Sequence, residues 1–379
     1  MQYRKFGRHD IKVSQLGFGM MRLPVIDGDA AKIDEEKTRE MVQYAVDHGV
    51  NYIDTAWPYH REQSELVVGR ILKDGLRDKV YLATKNPVWL VNARADFDKY
   101  LGEQLKKLQT DHIDMYLLHA LSEERWPKLQ EYDFADFLDR AKADGRIRYA
   151  GFSFHDDLDL FKKIVDAYDW DFCQIQYNFM DENFQAGLEG LRYAAAKGMA
   201  VIVMEPLRGG RLVRNVHPDV QAIWDRTGTQ RKPAVWALRW VWNHPEVTLL
   251  LSGMGEMNQV VENVATASVA MAGGLTAAEV KAFEEIKAFY RSRTMVPCTQ
   301  CDYCQPCPQK IVIPHYFGMW NDAAMYDMRA DLAKNYSRMK ENMGDPSACA
   351  ECGQCEEACP QHLPIRKHLK DLHAYFSEK

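Results

Sequence analysis

Eight short apolar runs, each followed by a longer amphipathic run, occupy the chain from its start to about residue 270. The strand candidates are 15–18, 51–53, 80–84, 113–118, 149–153, 172–176, 200–204 and 247–251. Most are continuously apolar rather than alternating, the pattern of parallel strands covered on both faces. Helical spacing recurs between them over 36–48, 95–108, 133–143, 158–167, 184–197 and 234–243. Eight strands alternating with helices predict a closed (β/α)8 TIM barrel rather than an open sheet. Ahead of the first strand, 3–6 and 11–13 read as a hairpin that plugs the barrel bottom, joined through Gly7-Arg8-His9-Asp10. Thr276 and Glu279 have capping-box spacing and open a helix that runs to about Arg291. Pro297 closes that segment, so the barrel domain is read as 1–293 and a second domain as 294–379.

The 379 residues suit a barrel plus a small module, and 46% hydrophobic residues supply its core. A net charge of −6 gives no electrostatic reason to expect nucleic acid. No apolar run is long enough to span a bilayer, and residues 1–6 lack a signal-peptide stretch. The expected location is the cytoplasm, where disulfides are disfavoured. The nine cysteines therefore need another role, and eight of them follow residue 297. Cys173 falls inside a predicted buried strand and reads as a small core residue.

The eight form two groups: Cys298-x2-Cys301-x2-Cys304-x2-Cys307-Pro308 and Cys349-x2-Cys352-x2-Cys355-x3-Cys359-Pro360. A [4Fe–4S] cluster takes four thiolates, and this spacing wraps three of them around one cube from a single turning loop. The fourth, before proline, usually reaches the neighbouring cluster. That rule gives one set of Cys298, Cys301, Cys304 and Cys359, and another of Cys349, Cys352, Cys355 and Cys307. The first group has two residues, not three, before its last cysteine, which leaves the crossover open. Zinc sites favour two Cys-x-x-Cys pairs over runs of four ending in Cys-Pro. Between the groups, 314–343 reads as helical, so the module resembles α-helical ferredoxins that serve as electron-transfer segments.

In a (β/α)8 barrel the chemistry sits at the C-terminal strand ends. There the second strand delivers Asp54 and, just beyond it, Tyr59; the third delivers Lys85 and the fourth His119. The set suits carbonyl reduction. Hydride arriving at a carbonyl carbon leaves charge on oxygen, which needs a proton donor. A tyrosine needs a cation nearby to lower its pKa for that task. Lys85 can supply the cation, Asp54 can hold Lys85, and His119 can orient the carbonyl or share proton delivery.

These residues carry a family resemblance. Asn51-Tyr52-Ile53-Asp54-Thr55-Ala56-Trp57-Pro58-Tyr59, with Ser64-Glu65 and Gly69, is similar to the aldo-keto reductase signature; Thr84-Lys85 and Asp114-x-Tyr116-Leu117-Leu118-His119 match the next two motifs. The whole chain resembles the aldo-keto reductases that carry a C-terminal ferredoxin domain. The resemblance implies Asp54, Tyr59, Lys85 and His119 as the catalytic tetrad, with Tyr59 the proton donor. It implies NAD(P)H held by Ser153 and Gln176 at the carboxamide, Pro206 and Leu207 along the pyrophosphate, and Glu262 and Asn263 at the adenine. The asparagine expected after the serine is Phe154 here. The cations that clamp a 2′-phosphate align with Gly253 and Gln259, so NADPH gains no advantage over NADH. Arg208, among glycines, is a candidate anion contact. Trp57, Trp89 and Tyr177 read equally as rim packing or substrate contacts, and His60 and His155 as locally bonded.

Two functions remain open in the sequence. One is a nicotinamide-dependent carbonyl reductase whose two [4Fe–4S] clusters connect it to a ferredoxin- or flavodoxin-type carrier or serve structure. The other is a single-electron reductase fed by the clusters, with a flavin or no cofactor in the barrel. A third reading, an electron-transfer protein whose barrel is only a dock, conflicts with the intact tetrad.

Overall fold

The computed structural model describes residues 1–73, 75–298, 300 and 302–377. Strands β1 (Tyr3–Lys5) and β2 (Lys12–Ser14) form an antiparallel pair. They precede β3 (Leu16–Gly19), β4 (Tyr52–Asp54), β5 (Tyr81–Asn86), β6 (Ile113–Leu121), β7 (Ile147–Phe154), β8 (Phe172–Gln176), β9 (Ala200–Met204) and β10 (Val247–Ser252). The last eight close a parallel barrel in chain order, β10 pairing with β3. Every expected barrel strand is present. The bounds differ at both ends: β7 starts at Ile147, Asp54 and Asn86 continue the ladder beyond the apolar run, and β6 passes through a register irregularity between Leu118 and Leu121. The hydrophobic signal stops where polar residues begin, but backbone pairing does not.

The first hairpin sits against the barrel interior. Phe6 and Val13 are fully buried in one cluster with Tyr52, Ala83, Met115, Leu117, Phe172, Ala200, Ile202, Leu249 and Leu251. Gly7 makes this approach possible: its φ is +53°, and a Cβ there would stand 2.5 Å from the Gly198 carbonyl oxygen.

The helices follow the predicted periodicity, with two informative departures. The helix expected from 184 starts at Gly187, because Gln185 and Gly187 have φ of +55° and +56°. The helical stretch expected over 314–343 is two helices, Ile313–Met325 and Arg329–Met343, interrupted at Asp327 with φ of +50°. No helix among the described residues is long and apolar enough to cross a membrane.

The chain divides into two compact units. One comprises Met1–Gly209 and Ala234–Leu275 and contains the barrel sheet; the other comprises Gly210–Pro233 and Thr276–Lys379. The second is helical, and Tyr316, Phe317, Leu332, Tyr336, Leu369, Leu372 and Phe376 are buried in it. Its helix Ala277–Ser292 opens with the capping box expected of Thr276 and Glu279.

Gly69 sits where two helices of the barrel unit touch. A Cβ on it would lie 2.4 Å from the Lys107 carbonyl oxygen and 2.8 Å from the Leu108 carbonyl carbon, both backbone. The Gly69→Ala variant should therefore lose about 1–3 kcal/mol of stability, read as a lower urea midpoint. An unchanged midpoint would show that Ser64–Ile71 and Arg94–Leu108 separate freely there.

Candidate functional site

Three neighbouring strands bring Asp54, Lys85 and His119 to one rim, and the loop after β4 adds Tyr59. The Lys85 ammonium is buried and donates to both Asp54 carboxylate oxygens and to the Thr55 carbonyl, each at 2.8 Å. It lies 3.4 Å from the Tyr59 hydroxyl and 5.0 Å from the centre of that ring. The rings of Tyr59 and His119 stand edge to face with centroids 6.3 Å apart, and Trp89 is 5.2 Å from His119. All four predicted catalytic residues thus fall within one constellation.

Electrostatics bears on the protonation of Tyr59, Lys85 and His119, while burial raises the Asp54 carboxyl against the pull of Lys85. Burial pushes the Tyr59 phenol above its ordinary value; Lys85 pulls it down, but burial outweighs the lysine. The expected net lowering is therefore not what the geometry gives, and Tyr59 holds its proton at neutral pH. Burial works against the Lys85 ammonium, but Asp54 and Tyr59 more than reverse this and keep it charged. Burial, then the charges of Lys85, His155 and Arg125, drive His119 well below the usual imidazole range, so it is neutral.

A buried polar network lies behind Lys85. Glu65 accepts from Thr84 and Gln104 at 2.7 Å each. Gln104 also donates to the Lys85 carbonyl at 2.9 Å and accepts from Tyr116 at 2.8 Å; Asn86 donates to the Tyr116 hydroxyl at 3.0 Å. Such a network fixes the strand that carries the lysine. Sequence reading quoted Glu65, Thr84 and Tyr116 only as motif letters and passed over Asn86 and Gln104. The available signal was polar side chains inside runs that otherwise bury completely.

The loop after Tyr59 is held as firmly. His60, Arg61 and Glu62 have φ of 53°, 51° and 67°. The His60 ring accepts from the Leu23 amide at 3.1 Å through Nε2 and donates through Nδ1 to the Ala30 carbonyl at 2.9 Å. His60 is therefore a neutral strut.

The residues expected to meet a dinucleotide are distributed as follows. Ser153 Oγ accepts from the Ala120 amide at 2.7 Å. Gln176 donates to Asp181 at 2.9 Å. Pro206 and Leu207 follow β9 in a loop where Glu205 and Arg208 have positive φ. Gln259 accepts from the Gly255 amide at 3.0 Å, and Asn263 donates to Ser252 at 3.0 Å, while Glu262 lies half-buried on the helix Met257–Val269. Phe154 packs on Phe161 with ring centroids 5.2 Å apart and belongs to the core. Arg22, unnoticed in the sequence, lies against Gly253, where a Cβ would be 3.2 Å from its side-chain carbons, and reaches Glu205 at 3.2 Å. Arg208 stands 3.6 Å from Asp181.

In the second unit, Cys304, Cys307, Cys349, Cys352 and Cys355 line a cavity of about 220 Å³. Cys298, Cys304 and Cys359 line a smaller one of about 20 Å³. Cys301 lies outside the described residues. Each cavity therefore draws thiols from both groups. Ile313 lines both, and Phe317, Leu363 and Ile365 shield the smaller. The described cysteines are all free thiols, as a cluster site requires. Burial raises the Cys304 and Cys355 thiols to about 11 each, so at neutral pH they lose their protons only to a bound metal. Thiols gathered from both groups around two neighbouring spaces fit iron–sulfur clusters, with Gln305, Gln309, Gln354 and Arg366 also lining the larger space.

Barrel, rim constellation and cysteine module together define an oxidoreductase with an iron–sulfur domain. Residues 15–288 match the aldo/keto reductase family and residues 297–363 match the 4Fe-4S dicluster domain, so the chain belongs to the aldo/keto reductase family and carries that domain at its C-terminal side. The aldo-keto reductase YhdN of Bacillus subtilis is 30% identical over 225 residues, which cover 56% of this chain and 64% of that protein. The NADH-specific methylglyoxal reductase of Escherichia coli is 25% identical over 314 residues, covering 69% of this chain and 92% of that protein. Among solved structures, the holo form of an aldo-keto reductase from Bacillus halodurans superposes with a TM-score of 0.63 at 27% identity, covering 75% of this chain and 96% of that one.

Proposed function

We propose that the barrel reduces a small carbonyl compound with Tyr59 as proton donor, and that the eight cysteines hold two [4Fe–4S] clusters that connect it to a ferredoxin- or flavodoxin-type carrier. The observation that carries the first part is the buried Lys85, clasped by Asp54 and directed at the Tyr59 hydroxyl. Tyr59 and the neutral His119 present two hydrogen-bonding groups to a carbonyl oxygen. As charge develops there, the phenol gives up its proton. Lys85 stabilises the phenolate left behind, and Asp54 keeps the ammonium in place without itself changing state. A nicotinamide, when bound, supplies the hydride. Ser153 and Gln176 would hold its carboxamide, and Pro206, Leu207, Glu262 and Asn263 the rest of the dinucleotide. Gly253 and Gln259 carry no charge for a 2′-phosphate, which supports NADH, as does the NADH-specific relative. The catalytic domain is assigned to 1–293 and the cluster domain to 294–379.

The test is anaerobic: NADH oxidation against methylglyoxal, followed in the purified holoprotein. Consumption of one NADH per carbonyl reduced supports the reading. Carbonyl reduction driven by reduced viologen but not by NADH, or a flavin released on denaturation, would replace it with the electron-fed reading.

The state of Tyr59 also fixes a pH profile. The reductive direction needs the phenol form, which persists below its pKa and is lost as pH rises through it. Because burial places that pKa above the ordinary tyrosine value near 10, kcat/KM for carbonyl reduction should stay level to about pH 9. A basic limb falling near pH 7 would assign the proton to another group.

A further inference from the structure

Arg125 stands beside the rim constellation without a charge partner. Its Nη1 donates to the Ala120 carbonyl at 2.7 Å, which ties it to the residue after His119. Its guanidinium carbon lies 5.8 Å from the centre of the Trp89 ring, which in turn faces His119. Among the described residues, no carboxylate comes within ion-pair distance of it. Glu123 and Glu124 are exposed and neither bonds to it. Glu205, the acid of the β9 loop, is paired with Arg22, and Asp54 with Lys85. Arg125 is only half-buried, but among the described residues its one hydrogen bond uses Nη1 and leaves the Nε–Nη2 edge unoccupied. That edge offers two parallel N–H donors, the arrangement that a planar carboxylate accepts bidentately.

We infer that the substrate is a carbonyl acid and that Arg125 holds its carboxylate while the carbonyl lies between Tyr59 and His119. The inference rests on the carbonyl-reductase reading for the second half of that statement. The anion site itself does not depend on it. Trp89 would cover the apolar stretch between the two ends, and Lys85, the other cation of the rim, is already taken up by Asp54. Arg125 becomes the residue that separates anionic from neutral carbonyls at one catalytic site.

Two measurements test it. Binding of butyrate and of its neutral counterpart butyramide to the holoprotein is followed by saturation-transfer NMR. Butyrate should bind at least about tenfold tighter, and Arg125→Met should abolish the difference. Inorganic phosphate displacing butyrate at lower concentration than acetate does would mean that a phosphate ester, not a carboxylate, is the group held, and would overturn the carbonyl-acid assignment. Equal binding of butyrate and butyramide, or a preference unchanged in Arg125→Met, overturns the site altogether. Separately, the ratio of kcat/KM for 4-oxobutanoate over butanal should be about 10² in the wild type and near unity in Arg125→Met. A wild type that binds butyrate but reduces neither aldehyde sinks the carbonyl-reductase reading and leaves the anion site standing.

Discussion

Tyr59→Phe should lower kcat for carbonyl reduction by about 10²–10⁴-fold, the range for loss of a positioned general acid, with little change in the affinity for NADH. The phenylalanine ring keeps the edge-to-face contact with His119, so the loss reads the hydroxyl and not the packing. Lys85→Met should lose a comparable factor by a different route. It removes the charge that receives the phenolate and leaves Asp54 buried without its ion partner. That second consequence costs stability, because an unpaired buried carboxylate is destabilising. The double variant Asp54→Asn/Lys85→Met separates the two effects, since it removes the stranded charge. Tyr59→Phe combined with Lys85→Met should be no slower than the worse single variant, because both act on one proton transfer. Near wild-type turnover in Tyr59→Phe would show that the proton comes from elsewhere.

The second large effect is on iron. With two clusters per chain, anaerobic analysis should give about eight iron and eight sulfide, and Cys307→Ser should bring iron to about four. Cys307 lines the same cavity as Cys349, Cys352 and Cys355, so Cys307→Ser and Cys355→Ser should remove the same electron paramagnetic resonance signal. Cys359→Ser should remove the other, because Cys359 shares its cavity with Cys298 and Cys304. If Cys307→Ser and Cys298→Ser silenced one common signal, each cluster would belong to a single group. Cys352→Ser should abolish carbonyl reduction by a one-electron donor if electrons enter the barrel through the clusters, and unchanged turnover would leave them a structural role.

The barrel was legible because continuous apolar runs have few other uses in a chain with this many helix-spaced intervals. The rim constellation could be located because Asp54, Lys85 and His119 fall where such runs end and Tyr59 follows the first of them in the next loop. What supports the tetrad could not. Asn86 and Gln104 look like ordinary polar residues until β5 and the helix Arg94–Leu108 bring them to Tyr116. Arg22 ends the short 3-10 helix Met20–Arg22 and Arg125 precedes the helix Trp126–Glu131, and sequence carries no sign of which acids lie near them. The direction of the Tyr59 shift was misjudged for a related reason. The charge of Lys85 can be read from the motif, whereas the depth at which the phenol is buried comes from the assembled loop.

The bonds already made by Ser153 and Gln176 give the proposed carboxamide site a handedness. Ser153 Oγ receives the Ala120 amide hydrogen, so its own hydrogen is directed elsewhere and it meets a visitor as a donor. Gln176 must turn its nitrogen toward Asp181, because a carboxylate only accepts, and so its oxygen is what remains to offer. One donor and one acceptor on neighbouring strands would match a primary amide held between them in a single orientation, carbonyl toward the serine and NH₂ toward the glutamine. Rotating the amide by half a turn would set donor against donor and acceptor against acceptor. The proposed pair would thereby fix which way round the amide of a bound nicotinamide lies, whichever face the ring presents.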